Sequence, residues 1–539
     1  MRIWHSILLA PFISAALAAE GPVVELDYAS FRGSVVEGIA QWLGMRYAAP
    51  PVGDLRFEAP HDPLPENGIV DATQYGKTCI SSSLPRVLDY HSEDCLFVNV
   101  QAPAVPAQNK PLPVLVFFSG GGYNFLSKPV DGSGLIRASG NNIIVVTFSY
   151  RVGMYGFLAS KEVQQSASLN NGVKDAIKAI EWVHKYICKF GGDPNHIVVG
   201  GNSAGGSMIT HLMTANNGSN TVSKYFQGII LQSASFPAQW TVDESQYIYD
   251  NIVKITKCDK AENSLDCLRS LSVHELQKAH HTFPLPGADR NTTYLYGPVI
   301  DGDLIADSTL ELFRQGRFAR KPIITGTVAD DGTSLGLDEE VNSVAEGIDI
   351  LRAEFPTLNN QQQAKAESFY FRRPTTFKKF NSNGGESSNR ISFARNTETA
   401  FGEIRYACPE LLISEILDKD PVTRKRHWRY LYDLPKYNTT GGPVVPHSAE
   451  CTPLFRAPNV ISRADAKAMV PLMQGYWTSF IRSLDPNPHR HEGTPEWKIS
   501  ASGEGSSRLW IRKGQTAMHT VPSEQQERCE YWQKADLRQ

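Results

Sequence analysis

The sequence lacks several features that would assign it to common protein classes. Lysine plus arginine (53) nearly balance aspartate plus glutamate (56), so the formal net charge of -3 gives no general attraction for nucleic acids or acidic membranes. No segment reaches the roughly 18 apolar residues that a membrane helix needs. The chain has no internal repeat and no cluster spaced as metal ligands. We therefore expect no nucleic-acid partner, no stable membrane insertion and no metal.

The N-terminus has the pattern of a secretory signal. Arg2 precedes an apolar run from Ile7 to Leu17, which ends in the small-residue pattern Ala16-Leu17-Ala18 of a signal peptidase site. The run is too short to span a bilayer, and Pro11 interrupts it. The sequence therefore predicts a signal peptide at residues 1–18 and a secreted protein, in which residues 19–539 form one domain.

Apolar, β-branched runs recur along the chain and alternate with helical patterns. The predicted strands are Val114 to Phe118, Ile143 to Phe148, Ile197 to Val199, Gly228 to Leu231, Pro322 to Thr325 and Trp428 to Tyr432. The helical stretch from Val173 to Tyr186 lies between the second and third of them. This alternation predicts an α/β fold with a mostly parallel central sheet flanked by helices. The longer segments between the later strands are interpreted as cap-like insertions.

One of these strands leads into a glycine-rich turn that contains a serine. After Ile197 to Val199 the chain reads Gly201-Asn202-Ser203-Ala204-Gly205, and an apolar helical pattern follows. Glycines two residues before and after the serine allow a sharp reversal from strand to helix, which holds the hydroxyl clear of the backbone. The motif predicts that Ser203 is a nucleophile, whereas a glycine-rich loop without function is the alternative for this pattern taken alone.

A second glycine run follows the strand Val114 to Phe118. Ser119-Gly120-Gly121-Gly122-Tyr123 lets backbone N–H groups point into a cleft without an intervening Cβ atom. Together with the N–H of the residue after the nucleophile, such a loop forms an oxyanion hole in acyl-transfer sites. The predicted donors are Gly121, Gly122 and Ala204.

An acid and a histidine must follow the serine in this type of site. Asp330-Asp331-Gly332 comes shortly after the strand Pro322 to Thr325, and His447 follows a loop rich in glycine and proline. The order serine, acid, histidine therefore fits, although position alone leaves the choice between the two aspartates open.

Several sequence blocks, in order, resemble the type-B carboxylesterase and lipase family of α/β-hydrolases, which includes the cholinesterases and fungal secreted lipases. They are Tyr47 to Pro60, Glu93 to Pro103, Phe190 to Pro194, Gln232 to Ser235 and Pro298 to Gly302, together with the serine motif. The resemblance extends from about Val23 to the region of Trp532. It implies an α/β-hydrolase fold, and an enzyme that cleaves carboxylic esters without a cofactor.

The resemblance also implies roles for individual residues. Ser203 would be the nucleophile, His447 the general base and Asp331 the acid, with Asp330 as the less favoured acid. Asn202, Ser233 and Glu450 would support the site. The chain departs from the family at three positions: Asp331 replaces the usual Glu, Asn202 replaces a Glu before the serine, and Ser119 replaces a His or Tyr. Since Asp is shorter than Glu by about 1.5 Å, we expect the acid loop to lie nearer His447.

Covalent features are consistent with secretion. The spacings Cys79 to Cys95 and Cys258 to Cys267 suit local disulfides. The resemblance implies both of these bridges, a third between Cys408 and Cys529, free cysteines at 188 and 451, and an ion pair between Arg56 and Glu93. Predicted N-glycosylation sites begin at Asn217, Asn291 and Asn438.

The partner is expected to be a small ester, and the sequence indicates a neutral one. Choline specificity in the family uses an aromatic residue, usually Trp, in the first disulfide loop. The segment from Cys79 to Cys95 has no Trp, and Tyr90 is its one candidate for this role. Candidates for an apolar pocket are Tyr123, Phe125, Phe236, Tyr294 and Tyr296, although such aromatics are as often core residues. The alternatives are a triglyceride or sterol-ester lipase, a biosynthetic esterase or acyltransferase, and a non-catalytic adhesion protein. The oligomeric state is not predicted.

Overall fold

The computed structural model describes residues 21–82, 86–126, 128–337, 341–380, 386–438, 442–456, 461–502, 507–535 and 537–539. At residues 375–380, 386–391, 437–438, 442 and 502 it describes the backbone alone. The predicted signal peptide therefore lies outside the described residues. None of the described helices has the length and apolarity needed to cross a bilayer.

In the described part of the chain the largest sheet has eleven strands, in the spatial order β20-β19-β16-β13-β12-β11-β9-β10-β8-β4-β3. These strands are β3 (Ser34–Val36), β4 (Ile39–Arg46), β8 (Phe97–Pro103), β9 (Leu112–Phe118), β10 (Ile144–Phe148), β11 (Gly192–Asn202), β12 (Gly228–Gln232), β13 (Ile323–Val328), β16 (His427–Tyr432), β19 (Ser507–Ile511) and β20 (Ala517–Thr520). From β10 to β19 every neighbouring pair is parallel, and the outer pairs are antiparallel. The predicted α/β fold with a mostly parallel sheet is confirmed.

Shorter strands form small sheets around this one. They are β1 (Val23–Glu25), β2 (Ser30–Arg32) and β5 (Ile69–Asp71), then the pairs β6 (Thr78–Cys79) with β7 (His91–Ser92), β14 (Thr375–Phe380) with β15 (Glu386–Ser392), and β17 (Lys436–Asn438) with β18 (Gly442–Val444).

The described helices lie between the strands and after them. They are α1 (Ser133–Ala138), α2 (Gly153–Phe157), α3 (Lys161–Ser166), α4 (Asn171–Tyr186), α5 (Ala204–Gly218), α6 (Asn220–Ser223), α7 (Val242–Thr256), α8 (Ser264–Ser270), α9 (Val273–Ala279), α10 (Thr309–Arg314), α11 (Val344–Glu354), α12 (Asn360–Tyr370), α13 (Ala394–Gly402), α14 (Cys408–Lys419), α15 (Cys451–Phe455), α16 (Ala464–Ser483) and α17 (Ser523–Lys534).

The alternation of side chains along each strand divides the core between the two faces of the sheet. Val114, Val116 and Phe118 of β9 belong to the larger apolar cluster, which includes α4 and α5. The intervening Leu115 and Phe117 belong to a second cluster with α1 and α16. Because both faces are covered, the strands read as nearly continuous apolar runs.

The segments between β12, β13 and β16 form the long insertions that the sequence indicates. Helices α7 to α14 lie in them. Residues of α11 and α13 join the C-terminal helix α17 in a third apolar cluster. Between α13 and α14, Glu403–Ala407 forms a turn of π-helix, which presents side chains in directions that a regular helix would not.

Candidate active site

Ser203 occupies the sharp turn between β11 and α5. Its backbone has φ 59° and ψ -127°, a strained combination for a residue with a side chain, and its N–H donates to Gln232 O at 2.9 Å. A Cβ at Gly201 would lie 2.6 Å from the backbone of Gly205, and one at Gly205 would lie 2.1 Å from Phe118 O. The turn therefore requires both glycines, as the serine motif predicts.

A histidine and an aspartate meet at the carboxyl edge of the same sheet. Asp331 follows β13 and begins a short 3₁₀ helix, whereas His447 follows β18. His447 Nδ1 lies 2.6 Å from Asp331 Oδ1, and Asp331 Oδ2 accepts a hydrogen bond from the N–H of Val328 at 3.1 Å. Asp331 is buried, so this carboxylate holds the imidazole in one orientation.

The neighbouring Asp330 has a different set of contacts. One carboxylate oxygen lies 2.5 Å from the Arg395 guanidinium, and the other accepts from the N–H of Val445 at 2.7 Å. Asp330 therefore joins the acid loop to the histidine loop instead of touching the imidazole.

The loops that carry the acid and the histidine are in direct contact. Asp330 and Pro446 form an isolated parallel bridge, and the N–H of His447 donates to Thr333 Oγ1 at 2.8 Å. This close approach lets the Asp331 side chain reach the imidazole.

The second imidazole nitrogen is free to serve as a base. His447 Nε2 is buried and has no hydrogen-bond partner among the described residues. The side chain of His447 is 12% exposed. A nitrogen held in this way can accept a proton from a hydroxyl brought to it, and hydrogen bonds of this kind often shorten only when substrate is bound.

The glycine loop after β9 packs against the serine turn. A Cβ at Gly120 would lie 2.9 Å from Ser203 Cβ. Gly121 has φ 139° and Gly122 has φ 58°, and a Cβ at Gly122 would lie 2.2 Å from the ring of Tyr294. Ala204 is the first residue of α5, where the backbone N–H groups and the helix dipole favour negative charge. Gly120, next to the predicted oxyanion donors Gly121 and Gly122, is thus in contact with the serine turn, and Ala204 directly follows Ser203.

One protein family matches nearly the whole chain. The Carboxylesterase family model matches residues 20–532. The chain belongs to the carboxylesterase family. The prediction of an ester-hydrolysing enzyme with the α/β-hydrolase fold is confirmed at this level.

Individual relatives are similar over different lengths. Para-nitrobenzyl esterase of Bacillus subtilis is 34% identical over 58% of this chain and 63% of its own, so the match spans less than two thirds of that relative. Secreted lipase 4 of Gibberella zeae is 28% identical over 91% of this chain and 87% of its own. The crystal structure of Aspergillus niger EstA has a TM-score of 0.87 and 34% identity, and the match covers 95% of this chain and 98% of that one.

Glu450 contacts Asn202, the residue before Ser203, and forms no ion pair within the described part of the chain. It is fully buried, its Oε1 accepts from Tyr430 and from Asn202 at 3.4 Å each, and its Oε2 has no partner among the described residues. Burial, together with the negative charge of Asp331, raises the pKa of Glu450 to about 7. The Ser448 hydroxyl donates to the side-chain oxygen of Asn202, Oδ1. Asn202 therefore connects Glu450 to the histidine loop.

Ser233 lies between the serine turn and the acid loop. Its Oγ accepts from the N–H of Val328 at 3.3 Å, the same group that contacts Asp331, and its own N–H donates to Gly326 O at 2.8 Å. Ser233 has a positive φ of 46° and is fully buried. Ser233 therefore joins the end of β12 to β13 through backbone contacts.

The π-helical turn supplies two residues that sequence reasoning missed. The ring of Tyr406 lies 4.8 Å from that of His447, and its hydroxyl is 2.9 Å from Ser334 Oγ in the acid loop. Arg405 lies 4.7 Å over the ring of Tyr294 and donates to Ser235 Oγ at 2.7 Å. A π-helical turn has no local sequence pattern, so the position of these side chains at the site could not be predicted from the sequence.

The aromatic residues predicted to line a substrate pocket lie in two kinds of place. Tyr123, Phe236 and Tyr296 are buried, and the Tyr123 hydroxyl donates to Ser207 Oγ at 2.6 Å, as expected of core residues. Phe125 is 37% exposed, and Tyr294 is partly exposed beside Gly122. Of the five, Phe125 and Tyr294 are therefore the better candidates for contact with a substrate.

The three expected disulfides are present: Cys79–Cys95, Cys258–Cys267 and Cys408–Cys529. Cys188 and Cys451 are free, and burial raises the pKa of the Cys451 thiol, which favours its inert neutral form. The expected ion pair is also present, with Arg56 Nε 2.6 Å from Glu93 Oε1.

Two of the three predicted glycosylation sites lie on the surface. Asn217 and Asn291 are exposed, as carriers of glycans must be. The side chain of Asn438 lies outside the described residues.

Proposed function

We propose that the protein is a secreted serine carboxylesterase that cleaves neutral carboxylic esters through an acyl-enzyme on Ser203. The contact of 2.6 Å between His447 Nδ1 and Asp331 Oδ1, at the sheet edge that carries the Ser203 turn, is the observation that supports it most strongly.

The proposed reaction has two halves. His447 Nε2 takes the proton of Ser203 as its Oγ attacks the ester carbonyl, and Asp331 stabilises the imidazolium that forms. The N–H groups of Gly121, Gly122 and Ala204 hold the oxyanion, and the leaving alcohol receives the proton. Water then attacks the acyl-enzyme with the same base and releases the acid. Every step uses side chains and backbone of this chain.

Two features favour neutral over cationic substrates. The only aromatic residue other than histidine between Cys79 and Cys95 is Tyr90, and the Lys128 ammonium already lies 5.7 Å over its ring. That positive charge would repel a quaternary ammonium group at this ring. Beside the nucleophile, Asn202 provides a neutral amide where a carboxylate would attract a cation.

Secretion is supported by independent features. Arg2 is followed by an apolar run from Ile7 to Leu17 and by the small-residue pattern Ala16-Leu17-Ala18. Its three disulfides suit an oxidising compartment, and two relatives are named secreted lipases.

The test is hydrolysis of p-nitrophenyl esters of increasing acyl length by wild-type protein and by Ser203→Ala. We expect wild-type turnover with at least one short or medium acyl chain and a loss of roughly 10⁴-fold or more in the variant. Equal unfolding midpoints would show that the variant is folded. A folded, secreted wild-type protein that cleaves none of these esters would contradict the proposal.

The same panel distinguishes narrower activities. Triglyceride hydrolysis would indicate a lipase, and ester formation in the presence of a competing alcohol would indicate an acyltransferase.

A further inference from the structure

Asn124 is a buried amide that joins three separate segments of the chain. Its Nδ2 donates to Gly122 O at 2.6 Å and to Tyr296 O at 2.8 Å, and its Oδ1 accepts from the N–H of Tyr296 at 3.1 Å and from the Ser82 hydroxyl at 3.2 Å. The glycine loop after β9, the segment that carries Tyr294 and the loop closed by the first disulfide are therefore bound to one side chain.

The backbone of Asn124 binds the same glycine loop. Its N–H donates to Gly121 O at 3.0 Å, and the N–H of Phe125 donates to the same oxygen at 3.0 Å. The side chain of Asn124 binds the next carbonyl, that of Gly122. Asn124 therefore contacts both of the peptide groups that flank Gly122.

These contacts set the direction of a predicted oxyanion donor. The peptide bonds of the described residues are trans, so each N–H points opposite to the carbonyl of its own peptide group. Because Gly121 O is bound, the N–H of Gly122 points away from the N–H groups of Asn124 and Phe125. No main-chain carbonyl among the described residues accepts from it.

Gly122 needs such a restraint because its backbone is left-handed. Its φ is 58°, a region that glycine enters and leaves at little cost, so the residue does not fix the loop by its own preference. A Cβ at Gly122 would lie 2.2 Å from the ring of Tyr294, whose hydroxyl donates to Ser334 O at 2.8 Å. Two side chains therefore hold Gly122: the Tyr294 ring packs against it, and the Asn124 amide binds its carbonyl.

We propose that Asn124 is a positioning residue for the oxyanion hole, whose side chain fixes Gly122 so that the Gly122 N–H meets the carbonyl oxygen of the ester. This role rests on the proposed ester cleavage by Ser203. Loss of one oxyanion donor typically lowers turnover by about 10²- to 10³-fold, so a misdirected Gly122 should cost somewhat less than that.

Asn124→Ala and the matched control Asn171→Ala test this role. Asn171 is similarly buried, and its Nδ2 also donates to two main-chain carbonyls, Phe57 O at 2.8 Å and Ser168 O at 2.9 Å, outside the glycine loop. Both variants should lower the unfolding midpoint by a few degrees. Only Asn124→Ala should lower kcat for a p-nitrophenyl ester, by about 10- to 100-fold, with KM within about threefold of the wild-type value.

A trifluoromethyl ketone separates positioning from a general loosening of the fold. Ser203 Oγ adds to its carbonyl carbon, the hydroxyl proton passes to His447, and the carbonyl oxygen becomes an oxyanion, as in the proposed reaction. The inhibition constant should rise in Asn124→Ala by the same factor by which kcat/KM falls, and it should keep the wild-type value in Asn171→Ala.

Unchanged kcat in Asn124→Ala, or equal losses in the two variants, would overturn the proposal and leave ester cleavage by the wild-type protein intact. A wild-type protein that cleaves no ester would instead contradict the proposed function, and this role with it.

Crystals of the wild-type protein with a phosphonyl group on Ser203 give a readout that depends on no variant. We expect Gly122 N within hydrogen-bond distance of a phosphonyl oxygen, with Asn124 Nδ2 still bound to Gly122 O. A phosphonyl oxygen out of reach of Gly122 N, or a Gly122 carbonyl that Asn124 no longer contacts, would overturn the proposal.

Discussion

The serine side and the acid–base side of the site are built in different ways. Ser203 is positioned by glycines two residues away on either side and by the adjoining ends of β11 and α5. Asp331 and His447 are 116 positions apart and meet only because the acid loop and the histidine loop bind each other. The first half is therefore local and sterically fixed, whereas the second depends on tertiary contacts.

The acid–base half is where substitution should affect chemistry most. We expect Asp331→Asn to lower kcat by about 10³- to 10⁴-fold, because an amide cannot stabilise the imidazolium and favours the wrong tautomer. The matched control is Asp330→Asn, which leaves the 2.6 Å contact intact but weakens the pair with Arg395. It should mainly lower the unfolding midpoint. Steady-state kinetics of both variants decide the matter, and a larger kcat loss for Asp330→Asn would reverse the assignment of the acid.

The serine half should be sensitive to a single added carbon atom. In Gly205→Ala the new Cβ would lie 2.1 Å from Phe118 O and 3.0 Å from Ser119 O, so the serine turn and the glycine loop after β9 must separate. Since a displacement of about 1 Å at a reacting group costs about 10²-fold, we expect a loss of that size in kcat.

Gly200→Ala is the control for that experiment. Its Cβ would lie 3.1 Å from the flexible end of Leu115 and at ordinary contact distances of 3.6 and 3.7 Å from Ile230 and Phe117, so its kcat should stay close to that of the wild-type protein. Similar losses in both variants would mean that the turn is not sterically fixed in the way described.

Glu450 links the two halves and should give the smallest effect, seen in stability. Its carboxyl keeps a proton up to about pH 7 in the folded state, whereas an ordinary glutamate releases it near pH 4.5. Because the folded state binds more protons between these values, stability should fall as pH rises through this window. In Glu450→Gln this loss of unfolding free energy between pH 4.5 and 7 should be smaller by up to a few kcal/mol. If the unfolding free energies of the wild-type protein and Glu450→Gln changed with pH in parallel, this prediction would be contradicted.

The same contrast explains what the sequence could predict. The serine turn and the strands of the central sheet can be predicted from local patterns, because glycine spacing and apolar runs involve residues that are close together in the sequence. Five of the six predicted strands are shorter than the observed ones. For example, Ile197 to Val199 extends to Gly192–Asn202, since Gly192 still pairs with β9 and Gly200 to Asn202 still pair with β12.

Residues that reach the site through tertiary contacts are harder to predict from the sequence. The pairing of His447 with Asp331 instead of Asp330 came from family resemblance. Tyr406 and Arg405 were missed because a π-helical turn has no sequence signature. The burial of Tyr123 and Tyr296 likewise depends on neighbours distant in sequence.

The central claim is that Ser203 is the nucleophile, and covalent trapping tests it most directly. A p-nitrophenyl phosphonate should add one phosphonyl group per molecule, release one equivalent of p-nitrophenol, and mark the peptide that contains Ser203 in mass spectra. Ser203→Ala should take up none. Full inactivation of the wild-type protein with the label on another residue would contradict the account.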